Sequence, residues 1–172
     1  AVITSVGFNS YWKSCDEASW LSHGLCSISA YAKSKGYDVS LLDFRRLKGW
    51  QDFATRIQTN QPDVIGFNMF SLDYENVMYA VDLVKSVSPK TVVVVGGPHP
   101  SICPEECLIN ENIAYVIKGE GEIAFTNLLK KIEQGYKGLC QGDRIVQGVV
   151  PDLETLPYED RKLFQGEEVP IV

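Results

Sequence analysis

TVVVVGGPHPS, residues 91–101, is the stretch that decides the fold predicted for this chain. Four consecutive valines favour a strand that is buried on both faces, at the centre of a parallel sheet covered by helices. Gly96 and Gly97 then end the strand and leave bare backbone at the carboxyl edge of the sheet, where ligands of such sheets bind. Prolines on both sides of His99 stiffen the turn. A tight turn without a ligand explains this stretch alone equally well.

Around this strand, apolar strand patterns alternate with helical ones. The five predicted strands are Val2–Phe8, Val39–Phe44, Asp63–Met69, the valine strand and Ala114–Ile117. Apolar residues spaced three and four apart lie between them and predict amphipathic helices. Strands separated by helices favour a parallel sheet with right-handed crossovers. The sequence therefore predicts an α/β fold, a Rossmann-like (flavodoxin-like) five-stranded parallel sheet with helices on both faces.

The pattern changes after Gly138. Leu139–Val150 predicts a small hairpin with its turn at Gly142-Asp143, and a polar, proline-containing linker follows. We expect a binding domain over residues 1–136, a hairpin appendage over 137–150 and a linker over 151–172. The absent initiator Met and the apolar last residues, 169–172, are typical of a piece of a longer protein, and the linker is expected to lead into another domain.

Composition excludes some partners. A net charge of −6 argues against nucleic acid or an anionic membrane surface, and no apolar run reaches the length of a membrane span. The five cysteines are an odd number at unpatterned spacing, which favours reduced thiols and a cytoplasmic location. Cys103 and Cys107 could share a helix face, but no further ligand follows at metal-binding spacing, so a structural role is favoured.

Four loops should meet at the carboxyl edge: residues 9–13, 70–73, 96–99 and 118–122. They contain neither the GxGxxG pattern of dinucleotide sites nor the GxxxxGK pattern of nucleoside triphosphate sites. Glu120 and Glu122 at a predicted helix start would repel a phosphate bound there. No acid, base and nucleophile come together in the sequence, so no catalytic residue is predicted, and binding is favoured over catalysis.

Several of these segments together resemble a known family. The segments are Gly96–Ser101 (GGPHPS), Tyr115–Glu122 (YVIKGEGE), the helix with Phe125 and Leu128-Leu129, and Asp152–Arg161 (DLETLPYEDR). They resemble the N-terminal cobalamin-binding domain of cobalamin-dependent radical S-adenosylmethionine enzymes, which include the anaerobic magnesium-protoporphyrin ester cyclase type and the radical methyltransferases. The resemblance covers nearly the whole chain.

The resemblance implies that the corrin rests over the carboxyl edge and that its nucleotide tail enters a crevice beside the sheet. Ser71 and Leu72 would line the tail pocket, and residues 96–99 would pass close to the nucleotide. Residues 119–122 would close the far side. The full implied site comprises Asn9, Ser10, Tyr11, Phe70, Ser71, Leu72, Asp73, Gly96, Gly97, Pro98, His99, Gly119, Glu120, Gly121 and Glu122.

Two departures from related patterns qualify the expected cofactors. The DxHxxG loop, whose histidine ligates cobalt in methionine-synthase-type carriers, is replaced by Asn9–Cys15, which has no histidine. The resemblance therefore implies cobalamin without a protein histidine ligand. The CxxxCxxC motif of the iron–sulfur cluster is also missing, so S-adenosylmethionine and a four-iron cluster would belong to a radical catalytic domain of the same parent chain.

Two alternatives to a cobalamin module stay open. A degenerate copy of the module could serve as a scaffold or substrate-binding domain without a cofactor. A flavodoxin-like flavin carrier or a receiver domain shares the expected topology. The receiver is disfavoured because it needs acidic residues after the first and third strands, where Gly7-Phe8 and Asn68-Met69 stand.

Overall fold

The computed structural model describes residues 2–5, 22–135, 141–150 and 152–164. Its strands are β1 (Val2–Ser5), β2 (Ser40–Asp43), β3 (Val64–Asn68), β4 (Val92–Gly96), β5 (Tyr115–Gly119) and β6 (Ile145–Gly148). They form a single sheet in the order β2-β1-β3-β4-β5-β6, and every neighbouring pair is parallel. The winding direction reverses between β1 and β3, as in flavodoxin-like folds. The predicted α/β, Rossmann-like class is confirmed.

Helices cover both faces of this sheet. They are α1 (His23–Ser34), α2 (Trp50–Asn60), α3 (Tyr74–Val87), α4 (Pro98–Ile102), α5 (Pro104–Cys107), α6 (Gly121–Glu133) and α7 (Gln141–Arg144). One apolar core lies under α2, α3 and α5, and the other lies under α1 and α6. Val93 and Val95 of β4 contribute to the first core, whereas Val94 contributes to the second. The four-valine run is therefore buried from both sides, as the sequence predicts.

The predicted hairpin over residues 137–150 is wrong where the structure describes it. Residues 141–144 form the helical turn α7, and β6 then pairs in parallel with β5, with Val116 beside Ile145 and Gly119 beside Gly148. A parallel neighbour requires a crossover helix, and α6 supplies it. The Arg144 guanidinium donates hydrogen bonds to the carbonyls of Ile113 and Ala114, which holds the start of β6 against β5.

The segment after β6 packs back onto α1. The Asp160 backbone N–H donates to the Cys26 carbonyl at 3.2 Å, and the Asp160 carboxylate accepts bonds from the Ser29 hydroxyl at 2.9 Å and the Lys33 ammonium at 2.6 Å. Leu163 is buried in the core under α1 and α6. Residues 160–163 therefore lie against the domain, and the domain boundaries drawn from the sequence remain predictions.

Candidate cofactor-binding site

A cavity of about 510 Å³ opens at the carboxyl edge of the sheet, on the face that α1 and α6 cover. Its volume falls within the roughly 300–1,000 Å³ typical of small-molecule and cofactor sites. Three strands, the short helix α4 and two long helices contribute to its lining. The described lining residues are Ser22, Gly24, Leu25, Ile28, Gly66, Phe67, Asn68, Phe70, Val94, Gly96, Gly97, Pro98, Ser101, Ile117, Gly119, Glu120, Gly121, Glu122 and Phe125.

Residues without side chains leave this space open. Gly66 of β3 and Gly96 of β4 lie on the sheet face that α1 and α6 cover, where the neighbouring positions carry Val94 and Ile117. Opposite the sheet, a Cβ added to Gly24 of α1 would meet no atom within 4 Å. Side chains at Gly66 and Gly96 would start on the sheet wall of the cavity, whereas Gly24 is exposed to solvent and lies at its rim. The glycines of β3 and β4 therefore leave room for the cavity on its sheet wall.

The ends of β3 and β4 are tied together beside the cavity. The Met69 N–H donates to the Gly96 carbonyl at 2.8 Å, and the His99 N–H donates to the Met69 carbonyl at 3.1 Å. Gly97 has φ +107°, and a Cβ there would overlap Asn68 Oδ1 and lie 3.0 Å from the Met69 nitrogen. Gly97 is therefore needed for the close approach of the end of β3, whereas Gly96 faces the cavity.

The far wall depends on the two glycines of GEGE. Gly119 has φ +91°, and a Cβ there would lie 2.6 Å from the Gly148 carbonyl oxygen of β6. Its N–H donates to Ser101 Oγ at 3.0 Å, which joins β5 to α4. A Cβ at Gly121 would lie 2.6 Å from Ile28 Cδ1. These glycines let β6 and α1 approach the same turn, so the loops after β4 and β5 meet at one edge.

The charge on the described lining is acidic. Glu120 and Glu122 are its only ionisable side chains, and no Lys, Arg or His belongs to it. Glu122 lies in the first turn of α6, where the helix dipole favours a carboxylate. Its residue is only 8% exposed, and its Oε2 atom is buried without a hydrogen-bond partner among the described residues. The described lining therefore suits an uncharged ligand group rather than a phosphate.

The structure brings together eight of the residues predicted from the sequence. Phe70, Gly96, Gly97, Pro98, Gly119, Glu120, Gly121 and Glu122 all line the cavity. Asn9, Ser10 and Tyr11 lie outside the described residues. The remaining four, Ser71, Leu72, Asp73 and His99, are described but do not belong to the cavity lining. Their predicted role in cofactor binding stays a prediction.

His99 makes its contacts away from the cavity. Its Nδ1 lies 3.1 Å from Ser71 Oγ, its Nε2 lies 3.6 Å from Glu106 Oε2, and its ring centroid is 5.1 Å from that of Tyr74. The imidazole is buried among these groups. It links the turn after β3 to α4 and α5, so its contacts in this structure are those of a structural residue.

Leu72 and Asp73 occupy the turn before α3. The Leu72 side chain is 96% exposed at the carboxyl edge. Asp73 occupies the N-cap position of α3, but its side chain makes no capping hydrogen bond there. Burial raises the pKa of the Asp73 carboxyl, and a hydrogen bond from the Phe70 backbone only partly offsets this effect.

Sequence reasoning missed several lining residues, chiefly Gly24, Gly66, Asn68 and Ser101. Gly66 and Asn68 alternate along β3 with Ile65 and Phe67, which point into the opposite core. Because side chains alternate between the two faces of a strand, the sequence indicates that Gly66 and Asn68 share one face of β3. Only the packing of α1 and α6 determines that this face borders the cavity.

Comparison with known proteins defines the class. Residues 14–129 match the model of the family described as the B12 binding domain. This span is more than half of the chain, and the parallel sheet with a cavity at its carboxyl edge agrees with the match. The chain belongs to the B12-binding domain family.

Two curated relatives are large enzymes. Cytidylyl-2-hydroxyethylphosphonate methyltransferase of Streptomyces wedmorensis is 31% identical over 121 aligned positions, which cover 59% of this chain and 23% of the relative. The anaerobic magnesium-protoporphyrin IX monomethyl ester cyclase of Rubrivivax gelatinosus is 27% identical over 119 positions, covering 67% of this chain and 21% of the relative. The chain thus spans about a quarter of the length of these relatives.

Solved structures show the same fold. The cobalamin-dependent S-adenosylmethionine radical enzyme OxsB, with aqua-cobalamin and S-adenosylmethionine bound, superposes with a TM-score of 0.74 at 18% identity over 92% of this chain and 23% of that chain. The radical S-adenosylmethionine methyltransferase TsrM from Kitasatospora setae gives a TM-score of 0.65 at 16% identity over 80% of this chain and 26% of that chain. At these identities the likeness defines the fold alone.

Proposed function

We propose that this B12-binding domain holds cobalamin with the nucleotide tail in the cavity, and that it serves a radical S-adenosylmethionine catalytic domain of the same parent chain. The observation that carries the proposal is the open cavity with glycines on its sheet wall at the carboxyl edge of a B12-binding fold. When bound, cobalamin supplies the carbon–cobalt chemistry on which methyl transfer or oxidative cyclisation in the parent enzyme would draw.

The residues present fit the uncharged part of the tail. The Asn68 amide and the Ser22 and Ser101 hydroxyls offer hydrogen bonds to a heterocycle and its ribose, and Phe125 and Ile117 offer apolar contact. The described lining has no basic side chain to compensate a phosphodiester. The proposal therefore places the base and ribose inside the cavity and the phosphodiester at its mouth.

Cobalt without a protein histidine ligand is part of this proposal. The sequence contains two histidines. His99 is engaged with Ser71 and Glu106, and His23 Nδ1 lies 3.1 Å from both carboxylate oxygens of Glu159. Neither belongs to the cavity lining. Both imidazoles therefore have other partners in the folded domain.

The parent activity is proposed from the relatives, which are a methyltransferase and a cyclase. The four-iron cluster and S-adenosylmethionine would be held by the catalytic domain, because this sequence lacks the CxxxCxxC motif. We place the protein in the cytoplasm, since Cys26, Cys103 and Cys107 all carry free thiols. None of the described helices is both long and apolar enough to cross a membrane.

The test is retention of the cofactor by the purified 172-residue chain. The protein is incubated with hydroxocobalamin and desalted, and its visible spectrum is recorded. Stoichiometric corrin absorbance supports the proposal, and a colourless protein favours a cofactor-free scaffold or substrate-binding domain. Yellow flavin bound on purification would favour a flavin carrier. A Gly24→Leu variant is the comparison, because Gly24 lines the cavity and a Cβ there would meet no atom within 4 Å.

A further inference from the structure

Asn68 ends β3 and lines the cavity with a side-chain amide that makes no hydrogen bond to any described residue. The buried side-chain atoms of the described residues that lack a hydrogen-bond partner belong to Ser40, His99 and Glu122. Asn68 is only half-buried, and its amide is not among these atoms. Its Oδ1 and Nδ2 are therefore unpartnered but accessible, and a group inside the cavity can reach them.

Bare backbone borders the Asn68 amide on the sheet wall. Asn68 pairs in register with Gly96 of β4, and Gly66 lies two residues earlier on the same face of β3. Oδ1 lies so close to Gly97 that a Cβ added there would overlap it. A planar ring can lie flat against Gly66 and Gly96 because neither has a side chain, and the edge of such a ring then faces the amide.

The other polar side chains of the described lining are less suited to bind a neutral ring edge. Ser22 Oγ already accepts a hydrogen bond from the Leu25 N–H at 3.4 Å, and the Ser101 hydroxyl donates to the Gly97 carbonyl at 2.8 Å. The two acidic side chains are acceptors only when they are ionised. Asn68 is therefore the one described lining side chain that presents a donor and an acceptor side by side, with neither used by the protein.

An amide with a free donor and a free acceptor selects a partner that offers the complementary pair. An aminopurine does so through its exocyclic amine and the adjacent ring nitrogen, as in the bidentate pairing of asparagine with adenine. The dimethylbenzimidazole base of cobalamin offers one ring-nitrogen acceptor and two methyl groups. It can satisfy Nδ2 but leaves Oδ1 without a donor, and a polar group left unsatisfied in a closed site weakens binding.

Resting on the proposed function, we infer that Asn68 selects the base of the nucleotide tail, and that the site prefers a corrinoid whose base is an aminopurine to cobalamin. Nδ2 donates to the ring nitrogen of that base, and Oδ1 accepts a hydrogen bond from its exocyclic amine. Cobinamide, a corrinoid without a nucleotide tail, makes neither bond. Asn68 is then a specificity-determining residue of the cofactor site.

The experiment measures dissociation constants for aquacobalamin, its adenine-base analogue and cobinamide by visible spectroscopy, on the 172-residue chain and on the variants Asn68→Ala and Asn127→Ala. We expect the unsubstituted chain to bind the adenine-base analogue about 10-fold more tightly than aquacobalamin, the effect of one additional hydrogen bond. Asn68→Ala should remove this preference and bind cobinamide as the unsubstituted chain does. Asn127→Ala is the matched control, because Asn127 is exposed on α6 and does not belong to the cavity lining.

Equal or tighter binding of aquacobalamin by the unsubstituted chain would overturn the inference, and so would a preference that Asn68→Ala retains. Thermal unfolding of the ligand-free proteins tests a structural role. Because the amide has no hydrogen-bond partner among the described residues, Asn68→Ala should melt at the same temperature as the unsubstituted chain, and a clearly lower value would also overturn the inference. If the unsubstituted chain binds none of the three corrinoids, the proposed function fails. Cobalamin binding without discrimination between the two bases refutes the inference alone.

Discussion

Replacing Gly97 by alanine tests whether this glycine serves the close approach of β3 and β4. Gly97 has φ +107° and ψ −167°, a region that residues with a side chain rarely adopt and that costs them about 1–3 kcal/mol. The new Cβ would also overlap Asn68 Oδ1 and lie 3.0 Å from the Met69 nitrogen, a rigid backbone atom. A shift of a packed strand end adds about 1 kcal/mol or more.

Together, the backbone strain and the steric overlap predict that Gly97→Ala lowers the free energy of unfolding by about 2–4 kcal/mol. Gly24→Ala is the matched control, since it adds the same methyl group where nothing lies within 4 Å. Gly24 lies within α1, and alanine is a better helix former than glycine by up to about 1 kcal/mol. We therefore expect the control to be neutral or stabilising.

Urea unfolding followed by circular dichroism at 222 nm measures both variants against the unsubstituted chain. For a domain of this size, about 2–4 °C of melting temperature corresponds to 1 kcal/mol, so Gly97→Ala should melt roughly 5–15 °C lower. If Gly97→Ala unfolds within about 0.5 kcal/mol of Gly24→Ala, the interpretation of Gly97 as a steric requirement of the protein itself is refuted.

Three further predictions follow from the same structure. Gly24→Leu should abolish retention of hydroxocobalamin after desalting while the melting temperature changes by less than about 4 °C; retained corrin would contradict the assignment of the cavity. Burial alone would raise the pKa of Asp160, but hydrogen bonds from the Lys33 ammonium and the Ser29 hydroxyl, together with the Lys33 charge, outweigh it and hold that pKa below its usual value. Above pH 4, the pair of Asp160 and Lys33 should make the unsubstituted chain about 1 kcal/mol more stable to unfolding than the Asp160→Asn variant. This stability difference should disappear as the pH falls through the depressed pKa of Asp160. In urea titrations, a stability difference that persists at pH 2 would contradict the prediction. Burial raises the pKa of the Cys26 thiol to about 11, so iodoacetamide at pH 8 should modify Cys26 more slowly than the partly exposed Cys103, as peptide mass spectrometry would show; equal rates would argue against it.

Local patterns in the sequence predict the layered fold and half of the site. The valine run requires apolar cover on both faces, and the structure supplies one core on each side of β4. Gly96, Phe70 and the GEGE turn reach the cavity because the carboxyl ends of parallel strands share one edge. These features depend on periodicity and strand direction, which neighbouring residues determine.

The sequence could not predict the sixth strand. LCQGDRIVQGVV has the alternation and turn residues of a hairpin, and a short strand of this kind can pair with its chain neighbour or with a distant strand. In the structure, β6 pairs with the otherwise unpaired edge of β5. Hydrogen bonds from Arg144 to the carbonyls of Ile113 and Ala114 stabilise this pairing. A contact separated by about 30 residues has no local signature.

What the sequence by itself determined is the class of the protein: a parallel α/β domain with bare turns at its carboxyl edge, which resembles a cobalamin-binding module. Only the tertiary structure decided which residues face the cavity. His99 lies between Gly97 and Ser101 in the sequence, yet it turns to Ser71 and Glu106 while Ser101 lines the cavity. The physical reason is that one helical turn presents its residues in several directions, and the direction that borders open space depends on how α1 and α6 pack over the sheet.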